Sequence, residues 1–216
     1  MTTLTEKLAT LPSDLVREVD DVVDFALEKN IKTMHFVIIG TSGSGKSTFA
    51  NALAKAIHCS FIELDQLYWG PNWTGASHEV FENAVRAATD GDSWVVAGDY
   101  SSVRDVLWLR ATHIVWLNFS RWVVFSRVVM RTIRRILLRT ELWNGNRESV
   151  LSAFFSKDSV ILYSFSTFTR NRRRYEGLRQ DPKYTHLQWT ELTKPLQTKE
   201  FIEQFVHAEN SSSKQH

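Results

Sequence analysis

Cysteine is almost missing from this chain. Cys59 is the only one, so no disulfide can close within it, and a reducing compartment is the simpler setting. No apolar run reaches the ~20 residues that a membrane-spanning helix needs. The longest candidate, Ile114 to Met130, is interrupted by Arg121 and Arg127. The N-terminus lacks the basic-then-apolar order of a secretory signal, and a cytoplasmic protein with no membrane partner is expected. The seven histidines are scattered without ligand spacing, which excludes a Cys/His zinc site. No serine-centred nucleophile elbow and no N-K-x-D guanine-reading sequence occur, so serine hydrolases and signalling GTPases recede. No internal repeat is found.

Charge of one sign is also scarce overall, at a formal +2 across 216 residues. It is concentrated, however. From Arg121 to Gln180 thirteen Lys and Arg stand against four acids. With 43% hydrophobic and 12% aromatic residues, the chain can bury a substantial core and reads as one domain with extensions.

Against these absences stands one dense motif. Gly40, Thr41, Ser42, Gly43, Ser44, Gly45, Lys46 and Ser47 fit G-x-x-x-x-G-K-[ST], with Thr48 following. The run comes after an apolar stretch, Phe36 to Ile39, and before a helical one. A polyphosphate spreads negative charge over many oxygens, and a glycine-rich turn lets successive backbone N–H groups converge on them. The helix N-terminus adds free donors, Lys46 reaches the outer phosphates, and the Ser47 hydroxyl is placed to ligate Mg²⁺. A nucleoside triphosphate, ATP by expectation, is the implied ligand.

Short apolar runs alternate with helical patterns from His35 onward. His35 to Ile39, Phe61 to Leu64, Trp94 to Ala97, Ile114 to Leu117 and His186 to Leu192 read as strands. Lys46 to Ile57, His78 to Thr89, Phe119 to Thr140 and Lys199 to Val206 read as helices. Strands joined by crossover helices imply a parallel sheet covered on both faces, an α/β/α sandwich with its ligand at the carboxyl ends of the strands. Residues 1–33 form an extension with a helix from Ser13 or Asp14 to about Lys29. That helix packs on the domain's flank or, alternatively, forms a partner or homodimer contact. Residues 34–207 form the main domain, and 208–216 a disordered polar tail.

Five segments in order carry a resemblance: GTSGSGKST, ELDQLYWGPNW (Glu63 to Trp73), WVVAGDYSSVRD (Trp94 to Asp105), VWLN (Val115 to Asn118), and RVVMRTIRR with ELWNGNRE (Arg127 to Glu148). Over about residues 34 to 192 the chain resembles the small adenylate-kinase-like P-loop proteins, often labelled topology modulation protein-like. The resemblance implies a P-loop NTPase fold of nucleoside-monophosphate-kinase type, a five-stranded parallel sheet, and an arginine-rich helical lid at about 131–175. It also implies phosphoryl transfer from MgATP to a small molecule or nucleotide. Two positions depart from the pattern. Similar sequences carry V-V-D-G-N-Y-S where this one has Ala97 in place of the aspartate, and Asn118 stands where they carry aspartate. Asp99, two residues beyond Ala97, is then the acid left to hold the metal or its water; otherwise Ser47 and the phosphates hold it alone.

Phosphoryl transfer is served mainly by positioning and cations. Besides Lys46, the sequence offers Arg127, Arg131, Arg134 and Arg135 near one helix face. The spacing of Arg127 and Arg131 resembles the phosphate-binding arginines of adenylate-kinase relatives, with a solvated basic face as the alternative. Asp65, after the second strand, can take a hydroxyl proton or orient an amine, or it can cap the next helix. Trp69, Pro71, Asn72 and Trp73 form an apolar wall beside it, or fill core. Arg104 can clamp an anionic group or pair with Asp105. Glu141 to Glu148 look like a lid tip, with Arg147 closing over the phosphates. A second function, nucleic-acid binding, is suggested by Arg170, Arg172, Arg173 and Arg174 beside Tyr163 and Tyr175.

Overall fold

The computed structural model describes residues 33–137 and 160–212. The chain divides into two units, Met1–Thr33 and Met34–His216, and all the described residues but Thr33 lie in the second. The expected N-terminal helix and the expected lid tip around Arg147 fall outside the described residues. So do the side chains of Arg131 and Arg135.

The strands are β1 (His35–Gly40), β2 (Ser60–Glu63), β3 (Trp94–Ala97), β4 (His113–Leu117) and β5 (Gln188–Leu192). They form a single sheet in the order β2-β3-β1-β4-β5, parallel at every pairing. The helices are α1 (Lys46–Ala56), α2 (Leu64–Tyr68), α3 (His78–Ala88), α4 (Arg104–Trp108), α5 (Arg121–Leu137), α6 (Val160–Arg179) and α7 (Gln197–Ser212). A short 3₁₀ turn occupies Pro182–Tyr184, and Pro71–Trp73 forms a tight non-helical turn.

A parallel sheet is buried on both faces, which is why its strands read as continuous apolar runs. Alternate residues serve opposite cores. On one face Phe36, Ile38, Val95 and Val115 pack with Phe49 and Leu53 of α1 and Phe201 of α7. On the other, Val37, Ile39, Val96 and Ile114 pack with Phe81 of α3, Trp108 of α4 and Tyr175 of α6. α5 and α6 pack against each other, and Arg121 places its guanidinium 5.6 Å from the centre of the Phe168 ring.

The strand and helix expectations hold to within two residues at most boundaries. Three features were not expected. α2 and α4 are one-turn helices, too short to show a period. α6 carries its apolar residues with little periodicity, and the sequence assigned it no element. α7 runs through Ser212, so the described part of the predicted disordered tail from Ala208 is helical.

Candidate active site

The phosphate loop leaves β1 at Gly40 and enters α1 at Lys46, lying at the carboxyl edge of the central strand. Two contacts explain its glycines. Gly43 has φ +83, and a Cβ there would come 2.1 Å from Val128 Cγ2. Gly40 has φ +149, and its Cβ would meet the Leu117 carbonyl at 2.8 Å. The loop is thus clamped between β4 and α5 with no room for a side chain. At the start of α1 no side chain caps the helix and no acid occupies the first turn, leaving its N-terminal donors to whatever lies in front. Lys46 Nζ donates to the loop's own carbonyls, Gly40 O at 2.9 Å and Thr41 O at 3.3 Å. Ser44 Oγ is buried without a hydrogen-bond partner.

A cavity of about 570 Å³ opens over the loop. Ser42 to Phe49 form its floor, Glu63 and Asp65 one wall, Arg127 and Phe119 another, and Thr198, Lys199 and Ile202 of α7 a third. Arg127 donates to the Ser44 carbonyl at 3.0 Å and lies 5.2 Å from the Phe119 ring centre. Of the predicted residues, the structure therefore gathers Ser42 to Thr48, Asp65 and Arg127 around one cavity. Arg134 is exposed on α5.

Glu63 was missed by the sequence reading. It ends β2, is 8% exposed, and accepts hydrogen bonds from the Ser47 hydroxyl and the Asp65 backbone N–H. Burial pushes its carboxyl up to about 7; the Ser47 hydrogen bond opposes this, the Asp65 charge adds to it, and the Lys46 charge opposes it. A signal for it existed. Glu63 is the register partner of Ala97 on the adjacent parallel strand, so its side chain leaves the sheet on the same side. The acid missing from Ala97 stands one strand over.

Asp99 lies elsewhere. Its carboxylate, 2% exposed, receives Arg104 Nε at 3.0 Å and Arg174 Nη2 at 2.7 Å, and it does not line the cavity. Arg104 therefore pairs with Asp99, while Asp105 takes Lys183 Nζ and the Tyr184 hydroxyl instead. Those two hydrogen bonds hold the Asp105 carboxyl below its ordinary value. Asp65 is no helix cap, since it lies inside α2. Its Oδ1 accepts from the Tyr100 hydroxyl at 2.6 Å. Of the nucleic-acid cluster, Arg172 pairs with Glu176 and Arg174 with Asp99. Tyr175 is buried, 5.6 Å from the Trp116 ring, and presents no open stacking face. Asn118 donates to Glu191 at 2.6 Å, so it ties β4 to β5.

Among the described residues no cluster of three or more His, Cys, Asp or Glu is arranged to hold a metal, and no helix is long and apolar enough to cross a membrane. Mg²⁺ at a phosphate site needs only one or two protein oxygens, the rest coming from phosphates and water. Ser47 and Glu63 meet that description.

A family model described as "ATPase family associated with various cellular activities (AAA)" matches residues 36–109. No curated protein matches the chain in sequence. Among solved structures, a shikimate kinase from Acinetobacter baumannii in complex with shikimate is similar at 14% identity and TM-score 0.51, over 85% of this chain and 97% of that one. A gluconokinase from Sinorhizobium meliloti 1021 is similar at 19% identity and TM-score 0.45, over 85% of this chain and 98% of that one. At such identities the likeness is one of fold, and the first structure carries it. With the phosphate loop between β1 and α1 and five parallel strands in the order given, this chain has the P-loop NTPase fold that this shikimate kinase structure shows.

Proposed function

We propose that the chain is a kinase that binds MgATP over the loop from Gly40 to Thr48 and transfers the γ-phosphoryl group to a small molecule beside Asp65. The observation that supports this most is the pair of carboxylates at the end of β2. Glu63 and Asp65 border the same cavity as Lys46 and Arg127, yet in different surroundings. Glu63 is turned to the Ser47 hydroxyl, whereas Asp65 is held by Tyr100.

On binding, Lys46 exchanges the Gly40 and Thr41 carbonyls for phosphate oxygens, and the free N–H groups of the loop and α1 take the remainder. Ser47 and Glu63 would hold Mg²⁺, which would supply positive charge against the negative charge on the transferring group. Glu63 thereby fills the part that the sequence pointed to at Asp99. Arg127 and Arg131, one turn apart on α5, supply further positive charge. The acceptor oxygen bonds to the γ-phosphorus as the bridging P–O bond breaks, ADP leaves with that electron pair, and the acceptor proton passes to Asp65.

Calorimetry with MgATP on the native chain and on Lys46→Ala is the direct test of the first half. Affinity is expected to fall at least tenfold in the variant. ATP turnover should then rise with a suitable acceptor in the native chain alone. Turnover indifferent to every acceptor in a pooled screen would overturn the kinase reading.

A further inference from the structure

Trp69, Pro71, Asn72 and Trp73 stand out in the sequence, and the transfer described above leaves them without a role. Asn72 and Trp73 are consecutive non-glycine residues at φ 55 and 57. The Thr74 N–H bonds the Pro71 carbonyl at 3.2 Å, closing a turn whose central residues both need positive φ. Asparagine tolerates this conformation, but an indole does not favour it. Core burial does not explain the choice, because Trp73 remains 38% exposed. The turn is nevertheless held firmly: Gly70 N–H donates to Thr74 O at 2.7 Å, and Ala76 N–H to Tyr68 O at 2.9 Å.

This hairpin is wired to Asp65. The Trp69 side chain hydrogen-bonds the Tyr100 hydroxyl, which donates to Asp65 Oδ1 at 2.6 Å. Rings then run outward without a break: Tyr100 to Tyr68 at 4.8 Å, Tyr68 to Trp69 at 4.8 Å, and Trp69 to Trp73 at 5.9 Å between centroids. An aromatic surface thus starts at the proposed acceptor carboxylate and ends at the exposed Trp73. The aromatic side of Asp65 disfavours anions: ring faces are negative and the nearest side chain is a carboxylate, whereas Lys46 and Arg127 are turned to the phosphate loop. Arg104 and Arg174, at the neighbouring end of β3, are committed to Asp99.

We infer that Asp65, Tyr100 and the Trp69–Trp73 turn form the acceptor subsite, and that its ligand is a ring compound bearing a hydroxyl and no anionic group, of the nucleoside or sugar class. Trp73 stacks on the flat face of the ring while Trp69, 80° to it, borders the ring's edge; Asp65 receives the hydroxyl, and Tyr100 is a positioning residue that fixes the Asp65 carboxylate. The inference rests on the kinase reading and sharpens it.

The test offers the full-length protein MgATP with nucleosides and monosaccharides on one side and the matching nucleoside monophosphates and sugar acids on the other. Phosphorylated product is read by mass spectrometry. At least one uncharged member should be phosphorylated tenfold or more faster than its anionic counterpart. Preference for the anionic members overturns the inference and leaves the kinase reading standing, whereas ATP hydrolysis indifferent to all of them overturns both. Two variants probe the wall itself. Trp73→Gly relieves the turn, so its thermal midpoint should rise while the acceptor KM increases about tenfold and the ATP KM stays unchanged. An unaltered acceptor KM in that variant removes the turn from the site. Tyr100→Phe should lower kcat about tenfold with ATP affinity intact, and full activity would remove Tyr100.

Discussion

Glu63 shows how far one side chain can depart from its ordinary behaviour. Its folded carboxyl titrates at about 7 against an ordinary 4.5, so between those values the folded chain holds a proton that the unfolded chain has lost. Stability is then fullest below about pH 4.5 and falls as pH rises through 7. At about 1.4 kcal/mol per unit of displacement, the loss comes to about 3–4 kcal/mol. Thermal melts of the ligand-free chain should show this decline, and Glu63→Gln should flatten it. Gly43 makes a second, steric prediction. Gly43→Ala forces a methyl group onto Val128 at positive φ. The overpacking alone costs about 1–3 kcal/mol, and the strained backbone adds about 1–2 kcal/mol, so a clear drop in the denaturation midpoint and loss of MgATP affinity should appear together.

Near its C-terminal end α6 is tied to the carboxyl edge of the sheet by Arg174 and Tyr175. Arg174 on this helix and Arg104 on α4 share the Asp99 carboxylate, while the neighbouring Tyr175 hydroxyl bonds the Gly40 backbone. Burial pushes that hydroxyl up to about 12, and the nearby Asp99 charge adds to the shift. Breaking a buried ion pair by removing one partner costs about 3–5 kcal/mol. Asp99→Asn should accordingly destabilise the chain by a large part of that amount, with hydrogen exchange fastest in α6. The sequence did not disclose this anchor because its members lie 75 residues apart and only the fold brings them together. The central strands and α1 were legible for the opposite reason. Their apolar runs and the phosphate motif are local, and each constrains its own backbone. Glu63 lay between these cases. A charged residue ending an apolar strand is visible in the sequence, but its facing Ser47 depends on the pairing of β2 with β3. Trp73 was singled out, yet its positive φ could not be anticipated from a residue that avoids it.

At the scale of the whole molecule, two carboxyls pull stability in opposite directions. Asp105 is held below its usual range by Lys183 and Tyr184, so its contribution is present above about 3.8 and is lost as pH falls further. With Glu63 eroding stability from 4.5 upward, the ligand-free protein should be most stable in mildly acid solution. MgATP adds cationic partners for Glu63 and binding energy at neutral pH, so saturating it should move the optimum in melting temperature toward neutrality. An optimum unaffected by MgATP would separate Glu63 from the metal.

Gly43 and Val128 also set a mechanical limit. Val128 leaves no space for one methyl group at the loop, and its neighbour Arg127 grips the next carbonyl. The start of α5 and the phosphate cradle therefore form one packed contact, so a larger residue at Gly43 or a shift of α5 at Val128 displaces the loop itself.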